Sequence, residues 1–176
     1  MRKLKTELQL GQLSAAGFRF AIVVSRWNYA LTSRLAEGAV AALKSVDAAE
    51  DAIETFYVPG AFELPLACLK AAETGDFDAC VALGVVIRGE TPHFEYVADQ
   101  AAAGIMQASM DTGVPVMFGV ITADNMEQAE ARCGEKADNK GYEAALSAVA
   151  MANLIREMNG RTNKGQSKGK AFPNVV

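Results

Sequence analysis

The chain has 176 residues, 51% of them hydrophobic, with 17 basic and 21 acidic side chains and a formal charge of −4. That length suits one domain with a single core, and the acidic balance argues against nucleic acid or an anionic membrane as a general partner. Three cysteines without CxxC spacing and a lone histidine indicate neither a disulfide framework nor a zinc site. No apolar run approaches the roughly 18 residues of a membrane span. The basic start MRKLKTELQL meets Glu7 and Gln9 before any apolar run, so it does not read as a signal peptide, and a reducing cytoplasm is the expected compartment.

Residues 1–17 alternate loosely (Leu8, Leu10, Leu13) and end at Gly17, which suits an edge strand or an arm added to a neighbouring subunit's sheet. Phe18 to Ser25 reads as a buried first strand, followed by the turn Arg26-Trp27-Asn28-Tyr29 and a helix that Thr32 or Ser33 could cap. Ile53 to Val58 is a second strand stopped by Pro59-Gly60. A helix from Phe62 to Thr74 follows, with Pro65 tolerated in its first turn. Ala79 to Ile87 is nearly all apolar, as a central parallel strand should be. Thr91-Pro92 reads as a cap and first position for an Ala-rich helix to about Asp111.

Val114 to Val120 is the fourth strand, and Thr122 or Asp124 could cap a short helix from Met126 to Arg132. A polar loop, Cys133 to Asn139, leads to a last helix from Lys140 to about Met158. Ala144, Ala145, Ala148, Val149 and Ala152 lie along one of its sides. Beyond Asn159 the chain holds four basic residues, no acid and little to bury, so 159–176 is expected to be a disordered basic tail. The rest then carries 13 basic against 21 acidic residues.

Such alternation predicts an α/β fold: a three-layer α/β/α sandwich around a four-stranded parallel sheet. The turns near Trp27, Gly60, Arg88 and Thr122 should then emerge at one sheet edge and form one candidate site. Trp27 beside Asn28 is either a surface turn or a stacking platform for a planar heterocycle. Gly60, Ala61 and Glu63 either start a helix or admit a ligand to the backbone. Arg88-Gly89-Glu90-Thr91 is either an ordinary helix start or an anion site of free N–H groups, a hydroxyl and a helix dipole. His93 lies beside it, and imidazole is the side chain best suited to move protons near neutral pH. Arg132 and Lys140 read as solvated charges within one chain, and Phe118 as core by default.

The run of motifs resembles the 6,7-dimethyl-8-ribityllumazine synthase family of riboflavin biosynthesis. The matching pieces are Arg26-Trp27-Asn28, the stretch Val58 to Pro65 (VPGAFELP), the stretch Ala82 to Tyr96 (ALGVVIRGETPHFEY), Pro115 to Thr122 (PVMFGVIT) and Asn139 to Ala145 (NKGYEAA). They cover about residues 18–158. The resemblance implies a flavodoxin-like fold and condensation of 5-amino-6-(D-ribitylamino)uracil with 3,4-dihydroxy-2-butanone 4-phosphate, releasing phosphate and water, without metal or organic cofactor.

By position, it implies that Trp27 stacks on the pyrimidine and that Asn28, Ala61, Phe62 and Glu63 hold its polar edge or the ribityl chain. Backbone groups of Val85, Val86 and Ile87 would meet the same substrate. Gly89, Glu90 and Thr91 would cradle the phosphate, with His93 as proton shuttle. Phe118, Arg132 and Lys140 would reach the site from the adjacent subunit of a pentamer, Arg132 as the phosphate's charged partner and Glu143 holding Lys140. The family assembles as single pentamers, paired pentamers or closed icosahedral shells of sixty subunits, and association with riboflavin synthase is also admitted. Val85 stands where some members have Thr, and Asp138 where shell-forming members often have Gly, a residue that tolerates positive φ. Two other classes remain in view: a flavin- or pteridine-binding module without turnover, and a protein whose main role is assembly.

Overall fold

The computed structural model describes residues 13–166. Four strands, β1 (Phe20–Ser25), β2 (Ile53–Val58), β3 (Ala79–Ile87) and β4 (Val116–Ala123), form one parallel sheet in the order β2-β1-β3-β4. β1 is buried along its whole length and β3 at all but its last residue, because helices cover both faces; this is why their sequences are apolar without alternation.

Right-handed crossovers decide which face each helix takes. The chain leaves β1 toward one edge and returns past it to β3 and β4, so α1 (Tyr29–Lys44) packs on one face, and α2 (Leu64–Glu73) and α3 (His93–Thr112) on the other. After β4 the chain turns back to α1's face as α4 (Met126–Glu130) and α5 (Lys140–Gln166). Two core layers result. One joins Ile22, Leu35, Leu43, Leu83 and Val149; the other joins Val23, Leu64, Cys68, Ala82 and Ile105.

Several expected caps are replaced. α1 begins at Tyr29, with Asn28 at its N-cap in the left-handed region, so Thr32 and Ser33 lie inside the first turns and donate back to the carbonyls of Tyr29 and Ala30. α3 begins at His93, and Thr91 makes no capping bond. Neither Thr122 nor Asp124 caps α4; β4 continues to Ala123, and Asn125 Oδ1 accepts the Gln128 N–H at 2.9 Å. Positive φ in the loop before α5 falls on Lys136 rather than Asp138. α5 runs past the expected end at Met158 to Gln166: no proline intervenes, and Gly160 costs a helix only about 1 kcal/mol relative to alanine. Most of the expected N-terminal arm, and residues 167–176 of the expected tail, lie outside the described residues.

α1 and the start of α5 approach closely at Gly141. A methyl group on Gly141 would fall inside contact distance of the Leu35 carbonyl, a backbone atom that cannot rotate away. Gly141→Ala should therefore push α5 off α1 and lower stability by roughly 1–3 kcal/mol or more, the usual penalty for overpacking. Urea unfolding checks this: the midpoint should fall with little change in slope, and an unchanged midpoint would contradict the contact.

Candidate functional site

The carboxyl ends of β1, β2 and β3 surround one cleft of about 570 Å³, lined by Trp27, Asn28, Gly60 to Glu63, Val85 to Ile87, Gly89, Thr91, His93, Phe94, Tyr96 and Val97. β1 holds the Trp27 turn through continued pairing with β2's exit: the Arg26 N–H donates to Val58 O at 2.8 Å and the Trp27 N–H to Pro59 O at 3.1 Å. Asn28 Nδ2 donates to Val85 O at 2.8 Å, joining this turn to the end of β3. Glu63 Oε2 accepts the Gly60 N–H at 2.8 Å, which closes the turn after β2 beside the Trp27 ring.

Trp27 is 71% exposed and Phe62 57%. Large apolar side chains left open around a cleft mark a surface that something covers. On the β3 side, the N–H groups of Gly89, Glu90 and Thr91 make no hydrogen bond among the described residues, and the Thr91 hydroxyl is free of capping duty. His93 is the first residue of α3 and faces the same space.

Arg88 is committed elsewhere. Its Nε donates to Asp124 Oδ1 at 2.9 Å, its Nη1 donates to Glu95 Oε1 at 3.1 Å, and its guanidinium lies 4.5 Å from the Phe94 ring centre. Hydrogen bonds to Asp124 first, then Glu95, raise its pKa further above the ordinary arginine value. The first cleft thus has orphan N–H donors and an imidazole but no free cation among its lining residues.

A second cleft, of about 410 Å³, lies between β4 and α5 and is lined by Met117 to Thr122, Arg132, Lys140, Glu143, Ala144 and Ser147. Phe118 stands here, 46% exposed rather than core, because it sits on an edge strand that the helices cover incompletely. Lys140 is paired with Glu143 one helical turn on. The Arg132 side chain has no carboxylate partner among the described residues. Within one chain, then, the expected site residues other than Glu90 line two separate clefts, with Phe118, Arg132 and Lys140 in the second.

The chain matches the family model described as 6,7-dimethyl-8-ribityllumazine synthase over residues 17–156. It is 52% identical over 148 residues to a 6,7-dimethyl-8-ribityllumazine synthase of Chlorobium luteolum, covering 84% of this chain and 96% of that one. A Chlorobium chlorochromatii protein of the same name is 51% identical over the same shares. The chain belongs to the 6,7-dimethyl-8-ribityllumazine synthase family. The expected parallel α/β fold is the observed one.

Some residues that shape the clefts carried no assigned role in the sequence reading. Tyr96 and Val97 line the first cleft one turn beyond His93, and Ala144 and Ser147 line the second beside Lys140; their helical spacing was the available signal. Asn139 is 2% exposed, donates from Nδ2 to Arg34 O and Gly134 O at 2.9 and 3.0 Å, and accepts the Tyr142 N–H at 3.0 Å. It caps α5 and ties the Arg132 loop to α1. An Asn directly before a long helix was the cue.

Among the described residues, no helix is long and apolar enough to cross a membrane, and no group of His, Cys, Asp and Glu could hold a metal ion. The cysteines add no nucleophile to either cleft. Burial pushes the Cys80 thiol up to about 12; burial and then the neighbouring Cys80 raise Cys68; and burial raises Cys133 against the opposing pull of Arg34. A raised pKa keeps a thiol protonated at pH 8, where the reactive thiolate is then scarce. The folded protein should resist a thiol-labelling reagent at pH 8 and react fully once unfolded in guanidinium. Labelling of the folded form as fast as free cysteine would contradict this placement.

Proposed function

We propose that the two clefts are complementary halves of one active site, closed when the first cleft of one copy meets the second cleft of the next. The single observation that carries this reading is the division of charge. The first cleft has the N–H cradle for a phosphate but no lining cation, and Arg88 beside it is paired with two carboxylates, whereas Arg132 of the second cleft has no carboxylate partner among the described residues. A phosphate held by N–H groups alone gains more from a guanidinium that grips it bidentately.

The reaction is the family's: 5-amino-6-(D-ribitylamino)uracil condenses with 3,4-dihydroxy-2-butanone 4-phosphate to give 6,7-dimethyl-8-ribityllumazine, phosphate and water, the penultimate step of riboflavin biosynthesis. In the shared site Trp27 stacks on the pyrimidine, with Phe118 of the adjacent copy on its other side. Asn28, Ala61, Phe62, Glu63 and the backbone of Val85, Val86 and Ile87 line its polar edge and ribityl chain. Glu63 keeps Oε1 for substrate hydroxyls, since only Oε2 is used in its own turn. Gly89, Glu90 and Thr91 cradle the phosphate, with Arg132 completing its charge. Lys140, aligned by Glu143, faces the pyrimidine.

The chemistry asks little of strong acids or bases. The amino group of the uracil attacks the ketone, and loss of water gives an imine. A carbon-bound proton then leaves as the C–O bond to phosphate breaks, the resulting enol tautomerises to a methyl ketone, and attack by the ribitylamino nitrogen on that carbonyl closes the second ring with loss of a second water. His93, beside the cradle at the start of α3, carries the proton in the imine-forming and phosphate-releasing steps. Holding both substrates in register supplies much of the acceleration. The copies form a homo-oligomer, a pentamer or a shell built from pentamers, in the cytoplasm.

Mixing the purified protein with both substrates should release phosphate and form the lumazine chromophore; no rate above the uncatalysed background would sink the reading. Arg132→Ala should raise the KM for the butanone phosphate roughly 10- to 100-fold, the weight of a hydrogen bond to a charged group. It should leave the aminouracil KM much less affected. Arg88→Met, which removes the two ion pairs but keeps the stem over Phe94, should change the phosphate substrate's KM far less than Arg132→Ala does. The reverse order would transfer the anion role back to Arg88. Sizing by light scattering tests the shared site, since a monomer with full activity is incompatible with it.

A further inference from the structure

We infer that Asn28 is a positioning residue: its side-chain amide acts on the reaction through Val85 and Trp27, locking the two walls of the first cleft at the point where β1 and β3 part. The inference rests on the proposed assignment of that cleft to the aminouracil.

Two observations meet at this residue. Asn28 has φ 59 and ψ 42, one of three described non-glycine residues with positive φ. Side chains other than glycine reach that region at a cost, and asparagine bears it best. Here the extended exit of β1 reverses into α1: the Trp27 N–H still bonds Pro59 O, while Asn28 O accepts the N–H groups of Leu31 at 2.8 Å and Thr32 at 3.1 Å.

The second observation is the direction of the side chain. The paired register of β1 and β3 ends at Val24 opposite Leu83, and just beyond it Ser25 Oγ is buried without a partner. The Asn28 Nδ2 bond to Val85 O is the next link across. One wall of the cleft is the Trp27 ring and the other is the Val85 to Ile87 backbone; this bond fixes the gap between them. Nδ2 is thereby committed to Val85, so the left-handed backbone serves to aim the amide sideways along the sheet edge. A β-branched or apolar residue could supply neither the backbone conformation nor the donor.

Two substitutions separate backbone from clamp. Glycine at 28 keeps the left-handed turn and loses the donor; aspartate tolerates the turn but sets a carboxylate oxygen against the Val85 carbonyl. Asn28→Gly should raise the KM for the aminouracil roughly tenfold, the weight of one hydrogen bond, and leave the butanone phosphate KM within about twofold. Acrylamide quenching of Trp27, the sole tryptophan, should rise while the thermal midpoint moves little. Asn28→Asp should be impaired at least as much. Aspartate behaving as the unsubstituted protein in KM and quenching would reduce the role to backbone tolerance and overturn the clamp. Equal losses for both substrates with unchanged quenching would overturn it as well. If the unsubstituted protein fails to condense the substrates, the enzymatic reading falls, and the quenching comparison alone decides the clamp.

Discussion

Right-handed crossovers acting on the order β2-β1-β3-β4 leave one place where connections diverge: the chain departs from β1 toward one edge of the sheet and from β3 toward the other. Between those two strand ends no crossover covers the sheet edge, and a crevice opens there of necessity. Trp27 follows β1 and Gly89 to His93 follow β3, so the ring platform and the N–H cradle come to face one another without any long loop to place them. The central strands can hold this position rigidly because both are buried on both faces and paired on both sides. Everything built at the crevice inherits that rigidity.

The same topology explains why the single chain has two clefts. β4 is an edge strand, and α5 covers it incompletely, so Phe118, Arg132 and Lys140 gather on a flank of the molecule rather than at the crevice. Charge is distributed to match. Arg88, nearest the cradle, is held by Asp124 and Glu95 and joins the exit of β4 to the first turn of α3, while Arg132 has no carboxylate among the described residues. In the proposed shared site this arrangement makes phosphate binding depend on the neighbour, so a solitary copy has a cradle that grips its anion poorly.

The strands and their order of appearance were legible because each is an apolar run bounded by Gly, Pro or a polar turn, and β2 and β3 match their expected bounds. Helix starts were less legible. Ser, Thr or Asp were read as caps at three places, yet Asn28, Pro92 and Asn125 occupy those N-cap positions, and only Asn125 caps through its side chain. A hydroxyl near a helix start has two uses, capping and bonding back inside the first turns, and local sequence does not separate them. The default reading of Phe118 as core failed because an apolar residue on a strand is core only if the strand is covered, and which strand forms the edge is a property of topology. Arg88 opens the candidate anion segment, and its pairing with Asp124, distant in sequence, was not legible locally.

Two asparagines carry the geometry of the two clefts, and the choice of residue follows from what the site must keep free. Asn28 ties the Trp27 turn to a β3 carbonyl; Asn139, almost fully buried, ties the Arg132 loop to an α1 carbonyl and caps α5. A charged side chain in either place would carry a desolvation cost and compete for the substrates' own charges. A hydroxyl has one donor and a shorter reach. The neutral amide spans to a backbone carbonyl, satisfies it at modest net energy, and leaves Arg132 and the N–H groups of Gly89 to Thr91 uncommitted. In the proposed site, positioning thus falls to neutral groups bonded to backbone, and recognition to groups left unpaired among the described residues.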